Sequence, residues 1–257
     1  MTLAALDLSG RVAVITGGTS GIGLALTRGL AEAGADVVPT SRRAEQVEAA
    51  AAEVESRGRR SLRVASDVTD RASLEALLQK AVAALGRVDI LVNCAGRTQR
   101  RPTLDVPEEE WAAILDTNLT GTLRACQIFG RHMLERGSGR VVNIASLASF
   151  VGLHEVAAYN ASKAAVAALT RTLAVEWGTR GVNVNAIAPG VFRTPLNEKL
   201  IDSERGREFL LRTPMHRFGR VEELQGACVF LASEAASYVN GAVLAVDGGF
   251  LASGVNQ

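Results

Sequence analysis

The sequence is short of the residues that staple a fold or hold a metal. Its 257 residues include three cysteines and three histidines. Cys94, Cys126 and Cys228 lie far apart and form no Cys-x-x-Cys unit, so neither a disulfide framework nor a zinc site is indicated. Reduced thiols in a cytoplasmic protein are the expectation. His132, His154 and His216 are too scattered to read as metal ligands. An excess of one charge is also missing: 28 Lys and Arg stand against 27 Asp and Glu, a net charge of +1. That balance suggests neither a nucleic-acid groove nor an anionic membrane as partner. No run of eighteen apolar residues appears, so no spanning helix is expected. The first seven residues lack a basic stretch followed by an apolar run, so no secretory leader is expected either. Low-complexity tracts and fixed-period repeats are absent. What the chain does have is apolar content, 47% against 21% charged, enough to bury a sizeable core in one large α/β domain or two small ones.

Strand and helix signals alternate along the chain. Short apolar, β-branched runs at 11–16, 36–38, 62–65, 89–93, 140–144, 182–187 and 243–246 read as strands. Helical stretches at 24–33, 44–56, 73–85, 108–119, 123–134, 158–177 and 222–231 separate them, several stopped by glycine. Apolar strands alternating with helices predict a parallel sheet covered on both faces. The expectation is therefore a doubly wound, Rossmann-type α/β domain with seven parallel strands, a single domain over residues 1–257. Residues 189–214, with three prolines and mixed charge, are the least regular segment. A loop of that length is commonly a lid, here over a substrate; a solvated insertion is the other reading.

The chemistry concentrates in two places. The first strand runs into Gly17-Gly18-Thr19-Ser20-Gly21-Ile22-Gly23 and then a helix. Glycines let backbone approach a pyrophosphate closely, and the helix N-terminus offers free N–H groups to phosphate oxygens. A glycine turn between a strand and a helix at the start of a βαβ unit is a strong dinucleotide signal. Further on, Tyr159 and Lys163 are four residues apart, and Ser146 precedes the tyrosine by thirteen. On a helix such a pair shares one face. An ammonium beside a phenol favours the phenolate, which lets the phenol exchange protons nearer neutrality. With a serine hydroxyl nearby, the set forms a general acid–base device for a ketone or alcohol.

These motifs resemble those of the short-chain dehydrogenase/reductase family, from residue 8 to about residue 250. Gly17, Gly21 and Gly23 match its Thr-Gly-x-x-x-Gly-x-Gly turn, with Thr19, Ser20 and Ile22 inside it. Asp67 and Val68 resemble its adenine-contacting pair, and Asn93-Cys94-Ala95-Gly96 its Asn-Asn-Ala-Gly turn, with Cys94 as a departure. Asn118, Ser146, Tyr159 and Lys163 match its catalytic tetrad; Pro189, Gly190 and Thr194 resemble its nicotinamide-carboxamide segment. The resemblance implies the roles. Tyr159 exchanges a proton with the substrate oxygen and Ser146 hydrogen-bonds that oxygen. Lys163 lowers the tyrosine pKa and binds the ribose hydroxyls, while Asn118 holds a water linking Lys163 to solvent. It also implies a homotetramer. Ala161, Ala165, Ala168 and Thr172 would meet a second helix across a dimer face, and 246–250 would form a further contact.

Cofactor choice is read after the second strand, where an acidic residue would select NAD(H). Here the segment is Thr40-Ser41-Arg42-Arg43, without a carboxylate and with two guanidiniums able to pair with a 2′-phosphate. NADP(H) is the preferred expectation, with NAD(H) possible and the arginines otherwise solvating a helix start. For substrate, Arg97 to Arg101 carry three arginines that could bind a carboxylate or phosphate. This segment resembles the sugar-acid branch of the family, gluconate 5-dehydrogenase and the keto-gluconate reductases, so a polyol or sugar acid is expected. Ser146, His154, Arg97 and Arg100 are its candidate contacts. A 3-oxoacyl-[acyl-carrier-protein] reductase is the alternative, and a non-catalytic nucleotide-sensing regulator a more remote one.

Overall fold

The computed structural model describes residues 4–194 and 197–254. Residues 1–3, part of the stretch inspected for a leader, and 195–196, inside the predicted lid, lie outside the described residues, as do 255–257. Among the described residues six strands form one parallel sheet: β1 (Val12–Thr16), β2 (Asp36–Thr40), β3 (Ile90–Asn93), β4 (Gly139–Ile144), β5 (Val182–Pro189) and β6 (Val243–Val246), in the order β2-β1-β3-β4-β5-β6. Every pairing is parallel.

The expected seventh strand at 62–65 does not form. The segment does run beside β2: Val37 N donates to Arg60 O, Ser66 N to Ser41 O, and Thr40 Oγ1 to Val64 O at 2.6 Å. Even-numbered residues of β2 serve β1, as in Asp36 N to Arg11 O and Gly17 N to Thr40 O. Odd-numbered ones face outward, and the middle one is Pro39, which has no N–H to donate. A proline facing the edge interrupts the ladder at its centre and leaves two isolated backbone–backbone contacts.

Nine helices are found among the described residues. They are α1 (Gly21–Glu32), α2 (Ala44–Glu55), α3 (Arg71–Leu85), α4 (Glu108–Leu115), α5 (Gly121–Arg136), α6 (Ala157–Trp177), α7 (Glu198–Ile201), α8 (Glu204–Arg212) and α9 (Gln225–Ala232). Two differ from expectation. The predicted gap between 119 and 123 is not a break, because a π-helical turn, Asp116–Thr120, joins α4 to α5. The irregular 189–214 segment contains α7 and α8, the latter capped by Ser203, whose hydroxyl accepts from Gly206 N at 3.1 Å. Among the described residues no helix is long and apolar enough to cross a membrane.

Strand side chains alternate between two cores. Val14, Leu91 and Val141 pack with Leu74, Leu77, Phe129, Met133 and Leu173 on the α3, α5, α6 side. Ile15, Val92 and Val142 pack with Leu26, Leu30, Cys228 and Leu231 on the α1, α9 side. Nearly all are fully buried, as a sheet covered on both faces requires. Cys126 and Cys228 are core residues with free thiols. Both faces being covered leaves the strand ends as the place for chemistry.

Candidate active site

β1 has β2 on one side and β3 on the other, so the chain leaves neighbouring strands in opposite directions and a crevice opens at their C-terminal ends. Two adjoining cavities occupy it. One, of about 340 Å³, is lined by the glycine turn, residues 94–98, Ile144, Ala145, Ser146, Tyr159, Lys163 and the segment after β5. The other, of about 210 Å³, lies beyond the ends of β1 and β2 against Thr40, Ser41, Arg42, Ser66, Asp67 and Val68. They meet at Gly17, Ala95, Gly96 and Arg97. Gly17 makes the junction possible: its φ is +70°, and a Cβ would stand 2.7 Å from Ala95 N. Gly23 is needed for the turn itself, since its Cβ would lie 1.9 Å from Gly17 O. A larger groove of about 720 Å³ between α3 and α5 lies away from the strand ends and holds no residue of the predicted set.

The acid–base wall is built by α6 and the end of β4. Tyr159 and Lys163 stand one turn apart, with the ammonium 5.8 Å from the phenol ring centroid. Lys163 Nζ donates to Ile144 O at 2.7 Å, which anchors it at the last residue of β4. Ser146 caps a 3₁₀ turn by accepting from Ala148 N at 3.1 Å, and its hydroxyl hydrogen-bonds Tyr159. Ser149 Oγ donates to Lys163 O at 2.7 Å, tying that turn to α6. The protonation states differ from the sequence expectation. Burial pushes the Tyr159 phenol above its ordinary value, and the hydrogen bond from Ser146 partly offsets it. Burial also pulls Lys163 down to about 8. Lys163 is buried and Tyr159 half-buried, so desolvation disfavours both charged forms, and here that outweighs the mutual stabilisation read from the spacing.

Asn118 sits fully buried in the π turn. Its Oδ1 accepts from Arg97 N at 2.8 Å, while its Nδ2 donates to Arg97 O at 2.9 Å and Ser162 Oγ at 3.0 Å. The side chain thus clamps both backbone groups of Arg97 and ties that loop to α6. A π turn at this point frees the backbone to place the amide inward, a common use of such insertions.

At the nucleotide end, Gly17, Ser20, Gly21, Ile22, Gly23, Ser41, Arg42, Asp67, Val68, Ala95, Gly96, Pro189, Gly190 and Thr194 all line one cavity or the other. No carboxylate follows β2, and the Asp67 carboxylate is turned to its own loop, accepting from Thr69 N and Thr69 Oγ1. Ser41 and Arg42 thus give this cavity a hydroxyl and a guanidinium, with no carboxylate from the end of β2 to repel a 2′-phosphate. Thr19 acts behind the lining, its hydroxyl 2.9 Å from Ser41 Oγ.

Besides Thr19 and Asn118, four predicted residues are not brought to the lining. Arg43 is exposed at the start of α2. Asn93 is buried, donating to Asn143 Oδ1 at 2.9 Å and to Cys126 Sγ, so its amide joins β3 to β4 and α5. Arg100 points to Glu155 at 2.6 Å, and His154 is 80% exposed beside a separate cavity. Arg97 does line the site, but where the two cavities join. Conversely, Cys94, Ala145, Phe192 and Asn197 line it unpredicted. The first three follow strand ends, which was an available signal. Asn197 had none. It is held by loop geometry, accepting from Thr194 N at 2.9 Å and donating to Phe192 O at 2.6 Å. Among the described residues no group of His, Cys, Asp and Glu could hold a metal ion.

Comparison with known proteins agrees with this geometry. The family model described as Enoyl-(Acyl carrier protein) reductase matches residues 17–251. The 2-dehydro-3-deoxy-D-gluconate 5-dehydrogenase of Dickeya dadantii (strain 3937) is 43% identical over 256 residues, 98% of this chain and 100% of its own. The gluconate 5-dehydrogenase of Gluconobacter oxydans (strain 621H) is 41% identical over 248 residues, 96% of this chain and 97% of its own. Among solved structures, a gluconate 5-dehydrogenase from Burkholderia cenocepacia J2315 in complex with NADP and tartrate superposes with a TM-score of 0.95 at 40% identity, covering 99% of this chain and 100% of that one. Similarity of that extent, along nearly the whole chain and with the same fold, means that the chain belongs to the short-chain dehydrogenase/reductase family.

Proposed function

We propose that this chain is an NADP(H)-dependent oxidoreductase that interconverts a ketone and a secondary alcohol on a sugar acid. The observation that carries the reading is the convergence of Ser146, Tyr159 and Lys163 on the cavity that the glycine turn also lines. The nicotinamide cofactor, when bound, supplies or accepts the hydride. The chain's own part is to hold the substrate oxygen and move a proton. Ser146 and Tyr159 present two donors to that oxygen, so charge that builds on it meets preplaced hydrogen bonds. Tyr159, kept protonated by burial, gives its proton to the nascent alkoxide in reduction and takes it back in oxidation. Lys163, anchored to Ile144 O, sits one turn behind the phenol, where it can exchange a proton near pH 8.

Ser41 and Arg42 beside the second cavity support NADP(H) over NAD(H), as does the relative whose structure holds NADP. The sugar-acid substrate rests on the relatives' names and on the arginines of the substrate side. An acyl-carrier-protein reductase would need those arginines free for an acidic partner, yet Arg100 and Arg101 pair with Glu155 and Glu110. A nucleotide sensor would need no such acid–base wall. We read residues 1–257 as one domain in a cytoplasmic homotetramer. The surface of α6 supports the assembly, with Ala168 and Thr172 exposed and Val175 83% exposed. The test is NADPH oxidation against 5-ketogluconate, neutral keto-sugars and acetoacetyl thioesters. The keto-acid sugar should turn over fastest; turnover confined to the thioester overturns the assignment.

A further inference from the structure

The three arginines that follow the turn at Asn93–Gly96 are not equivalent. Arg100 pairs with Glu155 at 2.6 Å and Arg101 with Glu110 at 3.4 Å. Arg97 has its main chain held and its side chain unengaged. Both of its backbone polar groups are taken by the fully buried Asn118: its N donates to Oδ1 at 2.8 Å and its O accepts from Nδ2 at 2.9 Å. Its guanidinium forms no ion pair and no hydrogen bond among the described residues. The clamp fixes where the side chain starts. Its planar, permanently charged fork is left for a partner that the chain does not supply.

Arg97 lines both cavities of the crevice, at the junction it shares with Gly17, Ala95 and Gly96. The segment passes close to the acid–base wall: a Cβ on Gly96 would stand 3.4 Å from Asn118 Oδ1 and 3.8 Å from Lys163 Nζ. A dinucleotide with its adenosine in one cavity and its nicotinamide in the other must cross this junction, and a pyrophosphate joins its two halves. The charge of the lining points the same way. Arg42, Arg97 and Lys163 face the two cavities against one carboxylate, Asp67. That carboxylate is turned to its own loop, accepting from Thr69 N at 2.9 Å and Thr69 Oγ1 at 2.8 Å. The crevice therefore carries a surplus of positive charge, which raises the local concentration of a polyanion.

We propose that Arg97 is a cofactor residue and not a substrate residue: its guanidinium closes over the junction and binds a phosphate of the dinucleotide. This rests on the NADP(H) reading above. Two phosphate groups come within the span of the two cavities, the bridging pyrophosphate and the 2′-phosphate beside Ser41 and Arg42. Either offers paired oxygens to the guanidinium fork in a charge-assisted contact. Asn118 then serves the cofactor from behind, by holding the main chain from which Arg97 reaches.

The experiment titrates NADPH and NADH, by fluorescence, into wild type, Arg97→Gln and Arg97→Lys, and measures KM for 5-ketogluconate at saturating NADPH. Arg97 is exposed, so neither substitution disturbs the core. Arg97→Gln should weaken NADPH about tenfold, the loss of one charge-assisted contact partly screened by solvent. Arg97→Lys should fall between, since it keeps the charge and loses the fork. An equal loss for NADH supports the proposal with the pyrophosphate as the partner; a loss confined to NADPH supports it with the 2′-phosphate. NADPH affinity of Arg97→Gln within twofold of wild type overturns the role of Arg97 and leaves the NADP(H) reading standing. A rise in KM for the keto-acid with that affinity unchanged overturns it too, and returns Arg97 to the substrate. A wild type that binds neither nucleotide overturns the reading and this proposal with it.

Discussion

The two ends of the cleft are built on different principles. The nucleotide end is made mostly of strand ends, glycine backbone and one helix N-terminus, and its shape follows from close approach: Gly17 against Ala95, Gly23 against Gly17. The substrate end is made of side chains from loops far apart in sequence, joined by contacts such as Arg100 to Glu155 and Arg101 N to Glu155 O. Backbone geometry tolerates little variation, whereas loop side chains can be re-paired. The first end therefore sets the reaction class and the second sets which molecule is processed.

The comparison is broken most sharply at the wall between the two ends. Tyr159→Phe removes the proton donor and leaves the nucleotide end intact. Turnover should fall by about a thousandfold, with NADPH affinity by fluorescence titration unchanged within twofold. Turnover close to wild type would dismiss the tyrosine as the acid. A smaller effect sharpens the nucleotide end. Ser41→Asp combined with Arg42→Ala takes one positive charge away and adds a negative one beside the second cavity. The ratio of NADP to NAD affinity should drop by about tenfold to a hundredfold. An unaltered ratio would mean that the 2′ position is read elsewhere, with Arg97 at the cavity junction as the next residue to change.

The smallest effect is on stability and separates Lys163 as a buried charge from Lys163 as a catalyst. Its pKa is about 8 in the folded chain against 10.5 for a solvated lysine. Between those values the unfolded chain holds the extra proton, so folding stability rises with pH across the window. The burial penalty is full below pH 8 and gone above 10.5, a span worth on the order of 3 kcal/mol. In urea unfolding of the cofactor-free protein, wild type should gain on Lys163→Met as pH rises from 8 toward 10.5. The lost bond to Ile144 O adds an offset but no slope. A difference that stays flat with pH would show that the ammonium is not buried at a cost.

Much of this could be read from the chain. The strand–glycine–helix start, the Tyr159–Lys163 spacing and the alternation of elements all rest on local periodicity, and the structure places them on one crevice. Pro39 was a visible signal against the seventh strand, because a proline at the centre of β2 cannot support a second ladder. Ser203 followed by Glu204 was a helix-start signal for α8, obscured by two prolines and a charged composition around it. Other features had no local signal. Asn93 looks like a cofactor contact from its motif, but its amide finds Asn143, fifty residues away. The Asn118 side chain bonds the Arg97 backbone and Ser162, partners twenty-one and forty-four residues away that its motif does not announce.

The sequence by itself determined that the sheet is parallel, where the glycine turn falls, and that Tyr159 and Lys163 share one face of a helix, because these depend on spacing along one or two elements. Tertiary structure alone decided which arginines are paired, that Tyr159 and Lys163 are both shifted by burial, and that the predicted edge strand makes only isolated contacts. Each of those depends on what chain segments tens of residues apart exclude: water from a wall, or a partner from a charge.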